Sequence, residues 1–206
     1  MTESPEPISG LGPGTMVLTL EGDMPIEWLA PGDKVMTRDH GAMPVLHICR
    51  LRKLPEGGAL PAPMRFQPGE LGPQGELQGK LRVAPGHRGL IRHGAIRQNF
   101  GCEEALVRFC DISRRNRARK DPTMGGLTYH LIIMEHHEVI NAGSLWIETT
   151  GPDMAARLDL PDAVRRATRL LDPETPEPRR CLTRQEARLI RDTCPQETSL
   201  LDLLSA

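Results

Sequence analysis

The sequence predicts a mainly β fold with a short α-helical C-terminal stretch, on three observations. Proline (19) and glycine (20) together approach a fifth of the 206 residues, which suits many short strands joined by turns. Short runs such as Lys34–Arg38 alternate apolar with polar residues, the period of a half-buried strand. Beyond Gly151-Pro152 the spacing lengthens to that of a helix.

The elements follow in order. Residues 1–8, with acids, Ser and two prolines, read as a disordered tail. Pro13-Gly14-Thr15 and Pro31-Gly32-Asp33 are tight turns, because Pro fixes φ at the first corner and Gly takes conformations other residues resist. Between them Met16–Leu20 is a strand, Glu21-Gly22-Asp23 a hairpin-like turn, and 25–29 the return. Lys34–Arg38 alternates, with Val35 on one face and Lys34 and Met36 on the other. Val45–Lys53 is a strand, and 55–79 a long turn-rich connection of the kind that is functional or mobile. Leu81–Val83 and Gly89–His93 are strands flanking a turn at His87, while Glu104–Ile112 fits strand or helix equally. Leu127–Met134 and Val139–Ile147 close the β domain, the second interrupted at Ala142-Gly143. This places a β domain over 9–150 and a helical extension over 151–206. In that extension Leu160, Val164, Ala167, Leu170 and Leu171 share a helical face, and Pro173 ends the helix. Thr183 and Glu186 form a capping box opening a last helix through about Arg191. Leu200, Leu201, Leu203 and Leu204 follow, so the extension is expected to dock by its apolar face.

Composition narrows the function classes. Aromatics are 3% of the chain, so the core must be Leu, Val, Ile and Met. A net charge of −1 gives no global pull toward nucleic acid or anionic membranes. No apolar run reaches membrane-spanning length, and the N-terminus lacks the order of a signal peptide. The five cysteines are scattered without CxxC spacing, so neither a zinc knuckle nor a disulfide framework is implied. A reducing, cytoplasmic setting is the expectation, with secretion by a non-classical route left open. His136 and His137 are adjacent and would face opposite ways on a strand, so no metal site or cofactor is expected. The run Arg114–Lys120 holds five cations but no aromatic to stack a base, so a solvated loop is favoured over a nucleic-acid contact.

Three blocks carry a family resemblance. The first is PGT, hydrophobic strand, Gly turn, PIE, PGD over 13–33; the second is Leu81–Arg88, ending Ala84-Pro85-Gly86-His87; the third is His136–Gly143. In that order they resemble the Hedgehog/intein (Hint) autoprocessing family, its bacterial subset in particular, across most of residues 9–150. The resemblance implies a Hint β fold and a self-acting site. There a Cys or Ser at the domain's first residue attacks the preceding carbonyl, and a His manages the protons.

Several positions depart from that pattern. By register with Pro13-Gly14-Thr15 the nucleophile's place is Gly10, which has no side chain. Ser9 lies one residue away, a shift of about 3.3–3.6 Å along an extended chain that also flips the face. The family's Thr is Ala84, and the terminal His-Asn matches Glu148-Thr149, which cannot cyclise. His87 and the acidic Asp33 are retained. The catalytic remnant is therefore His87, Asp33 and Ser9, with Gly10, Thr15 and His137 as the residues expected to line the binding groove. The leading expectation is a domain without autoprocessing, a scaffold or a module that seats a peptide or protein partner in the former groove. The other is a self-cleaving domain that uses Ser9 with His87. The oligomeric state is open.

Overall fold

The computed structural model describes residues 8–66, 81–112 and 126–193. The first turn feeds β1 (Met16–Thr19), which folds back as β2 (Gly22–Pro25), with Thr19 facing Gly22 across the two-residue turn Leu20-Glu21. The hairpin thus turns one residue earlier than the glycine suggested, because Gly22, at φ +111°, opens the second strand. The second Pro-Gly turn leads into β3 (Lys34–Thr37), where Val35 and Thr37 are buried and Lys34 is exposed.

β4 (Gly41–Pro44) pairs with β3, an element the composition did not signal because Gly and Pro bound it. β5 (His47–Leu51), β6 (Met64–Phe66), β7 (Leu81–Val83) and β8 (Arg88–Arg92) follow. His93 then caps α1 (Gly94–Phe100), a helix not anticipated from the sequence; its ring accepts the Ala95 N–H and Gly101 ends it in the left-handed conformation. The ambiguous stretch is both things at once, β9 (Glu104–Arg108) and a single turn, α2 (Phe109–Ile112). β10 (Tyr129–Ile133), β11 (Val139–Ala142) and β12 (Leu145–Glu148) complete the β region, the last two joined at Gly143-Ser144.

The C-terminal stretch supplies α3 (Pro152–Ala156), α4 (Asp162–Ala167), β13 (Arg180–Cys181) and α5 (Arg184–Thr193). The Thr183–Glu186 box is reciprocal: the Glu186 N–H donates to Thr183 Oγ1 at 3.3 Å and the Thr183 N–H to Glu186 Oε2 at 2.8 Å. β13 lies parallel to β9 and extends the main sheet, whose order is β13-β9-β8-β12-β11-β1-β3-β4 with β2 on β1. The stretch is therefore woven into the sheet as well as packed on it. Arg179 reinforces the join, pairing with Asp39 at 2.7 Å and Glu104 at 2.8 Å.

Two separate two-stranded ladders, β10 with β5 and β6 with β7, stand beside the sheet. Between the β10–β5 ladder and the C-terminal stretch a second apolar core forms, from Tyr129, Leu131 and Ile133 of β10 and Met154, Leu158 and Leu170. Ile8 joins it at 2% exposure, although composition assigned it to the tail. The run 114–120 and the leucines at 200–204 lie outside the described residues. No described helix is long and apolar enough to cross a membrane.

Candidate active site at Ser9, Gly10 and His87

Residues 8–12 form an extended segment bonded on both sides. Toward β7 and its following turn, the Gly12 N–H donates to the Arg82 carbonyl (2.7 Å), the Ala84 N–H to Gly10 (2.9 Å) and the Gly86 N–H to Ile8 (3.2 Å). Toward β10, Leu11 and His130 exchange both backbone bonds, at 2.8 and 2.9 Å. Thr15 locks the exit: its hydroxyl donates to the Arg82 carbonyl at 3.1 Å and accepts the Arg82 N–H at 3.2 Å. The groove expected to receive a peptide is filled by the chain's own residues.

Gly10 sits at φ +144°, a conformation that effectively only glycine adopts. A Cβ built there would lie 2.9 Å from the Tyr129 Cβ. Position 10 therefore has no room for a side chain.

The turn Ala84–His87 closes through the His87 N–H to the Ala84 carbonyl (3.0 Å) and aims the imidazole at this segment. The Gly10 N–H donates to His87 Nδ1 at 3.2 Å, which makes Nδ1 the unprotonated nitrogen. Ser9 Oγ stands 2.6 Å from the same nitrogen and 3.4 Å from Glu148 Oε1. The shorter contact sends the hydroxyl proton to His87. Burial holds the ring's pKa down to about 4, so it is neutral and able to accept at neutral pH. Its Nε2 is buried without a hydrogen-bond partner among the described residues.

The one-residue offset of Ser9 is thus overcome by backbone geometry. Ser9 Oγ turns to His87 while a Cβ at Gly10 would turn to Tyr129, so it is position 9 that faces the ring.

Behind this pair lies a buried charge cluster. Glu148 accepts the Arg88 N–H at 3.0 Å and pairs with the Arg88 guanidinium at 3.1 Å. His137, with no exposed side-chain surface, sits 3.3 Å from Glu148 Oε2 and 2.8 Å from Glu177 Oε2, in ion-pair contacts rather than linear hydrogen bonds. Burial would raise the Glu148 pKa, but His137 and Arg88 hold it down to about 2. Burial would likewise lower that of His137, and the two carboxylates instead raise it to about 9. Two cations and two anions therefore balance one another, His137 and Glu148 fully buried and Arg88 and Glu177 reaching partly to solvent. Beside Ser9 a small cleft of about 40 Å³, edged by Gly86, Arg88, Glu148, Asp153 and Arg157, has room for water.

The structure therefore brings Ser9, Gly10 and His87 together, with His137 one contact behind through Glu148 and Thr15 apart from them, bonded to Arg82. Asp33 is placed elsewhere: its carboxylate accepts the Ala30 N–H at 2.8 Å within its own turn and edges a different hollow, with Thr19, Met24 and Lys34. His136 and His137 lie not on a strand but in the bend between β10 and β11, where His136 is half-exposed and His137 is buried. Glu148, Arg88, Glu177 and the Gly86 N–H were missed by sequence reasoning. A signal for Glu148 existed, since a lone acid in the apolar run Leu145-Trp146-Ile147 has to find a buried cation.

Chemically, the arrangement offers a hydroxyl, a neutral base and a polarised carbonyl around the Ile8–Ser9 peptide. Around Ser9–Gly10 it offers only the base. A family model described as the Hint domain matches residues 10–154. Among solved structures, the chain is similar to the solution structure of a bacterial intein-like domain from Clostridium thermocellum. The identity is 14% and the TM-score 0.37, with 69% of this chain and 98% of that one covered. No curated protein matches the chain.

Proposed function

This chain belongs to the Hint domain family, and from that premise we propose that it is a peptide-clasping module that does no chemistry at the family's usual position. One observation carries this reading. Gly10 lies at φ +144° against the Tyr129 Cβ, so the seat accepts a backbone there and no side chain. The clasp holds residues 8–12 by backbone bonds on two edges, the mode by which an extended peptide is added to a sheet. A peptide or protein partner in trans would have to displace that segment.

A second reading is favoured by the 2.6 Å contact between Ser9 Oγ and His87 Nδ1. In it His87 takes the hydroxyl proton while Ser9 Oγ bonds to the Ile8 carbonyl carbon, the Gly86 N–H stabilising the oxygen. The bond from that carbon to the Ser9 nitrogen breaks, and the released amine takes the proton from His87. Water then hydrolyses the ester, leaving residues 1–8 as an acid and a chain that starts at Ser9.

Intact-mass measurement of the purified chain over days at neutral pH, with and without hydroxylamine, separates the two. The clasp reading expects the mass of the full chain throughout. Loss of residues 1–8, faster with hydroxylamine and absent in Ser9→Ala and His87→Ala, would establish the second reading in its place.

A further inference from the structure

We infer that the C-terminal stretch forms half of the peptide seat. With β10 it builds an apolar socket that selects an aliphatic side chain immediately before Ser9, so the ligand class is an extended peptide with an aliphatic residue followed by serine. The inference rests on the clasp reading and names what the clasp recognises.

Ile8 is 2% exposed and packs in one cluster with Tyr129, Leu131 and Ile133 on one side and Met154, Ala155 and Leu158 on the other. Its carbonyl is bonded by Gly86 and the next side chain by His87, so backbone and socket act on the same residue. The buried members of this cluster are apolar apart from the Tyr129 hydroxyl, which donates to the Pro61 carbonyl at 2.9 Å. A carboxylate in place of Ile8 would therefore be desolvated among apolar side chains.

Two contacts hold the far wall against the β domain. Gly151, which opens α3, lies so close to His137 that a Cβ there would be 3.0 Å from the ring. Glu177, further along, pairs with the same ring. The family match ends at residue 154, so Leu158, Leu160 and Leu170 of the socket are contributed from beyond it.

Amide hydrogen exchange on the full chain tests this, reading the Leu11 and Gly12 N–H groups that bond His130 and Arg82. Ile8→Val should leave their protection within about threefold. Ile8→Ala and Leu158→Ala should each speed exchange there by about thirty-fold or more, the factor expected for truncating a buried aliphatic side chain, while the β3 amides stay as protected as before. Unchanged exchange in Ile8→Ala would overturn the socket, and so would an equal loss across β3. Free exchange of Leu11 in the unaltered chain would instead refute the clasp itself.

A second measurement fixes the ligand class. A labelled peptide of sequence 6–12 should bind the Ile8→Asp chain by fluorescence anisotropy, and the same peptide with Asp at the Ile8 position should not. Equal binding of both, or of neither, would overturn the assignment.

Discussion

Restoring the family's nucleophile by Gly10→Cys should damage the fold and produce no cleavage at residue 10. Two costs can be read from the structure. A non-glycine residue at φ +144° costs roughly 1–3 kcal/mol in backbone strain. A Cβ at 2.9 Å from the Tyr129 Cβ, with the ring's first carbon at 3.4 Å, adds roughly 1–3 kcal/mol of overpacking. The contact is to a Cβ, so no rotamer change of Tyr129 relieves it. Together the substitution should cost about 2–6 kcal/mol, and at about 2–4 °C per kcal/mol for a chain of this size the melting temperature should fall by roughly 5–20 °C. Urea unfolding followed by circular dichroism measures the loss, and intact mass with and without thiol reads any cleavage. A Gly10→Cys chain as stable as the parent, or one that forms a thiol-sensitive break before residue 10, would refute the steric reasoning.

The charge cluster gives the remaining predictions. Glu148→Ala leaves the buried His137 and the partly exposed Arg88 with one carboxylate fewer, so it should destabilise by about 3–5 kcal/mol in urea titrations. It should also bring the His137 ring down from about 9, read by NMR titration. Stability should peak near pH 6.5. The pKa of His87 is depressed to about 4, so its contribution is complete above the unfolded value near 6.5 and is lost as pH falls toward 4. That of Glu148 is complete above about 4.5 and is lost toward 2. His137 is raised, so its contribution is complete below 6.5 and disappears as pH climbs through 9. Replacing His87 by Gln should flatten the slope between pH 6.5 and 4 and leave the alkaline limb intact; an unaltered acid slope would count against a neutral buried His87.

Much of the fold could be read from local sequence because local physics governs it. The Pro-Gly turns, the alternation around Val17 and Val35 and the Thr183–Glu186 box each depend on residues within a few positions. His87 was found because its turn, Ala84 to His87, is also local. The expectation for Ser9 failed for a definable reason. Counting from Pro13-Gly14-Thr15 put position 10 toward the ring, whereas Ser9 faces His87 and position 10 faces Tyr129. Glu148 was set aside as a lost splicing residue because its partners, Ser9 139 positions away and Arg88 60 positions away, cannot be inferred from its neighbours.

By itself, then, the sequence determined that this is a turn-rich β chain with a histidine at the bend and helices after residue 151. Only the tertiary structure decided that Tyr129 closes off position 10, that the C-terminal stretch walls in Ile8, and that a serine meets the histidine. Turn and strand preferences act over a few bonds, whereas those contacts exist only after loops of many residues have closed and the side chains at their ends compete for the same space.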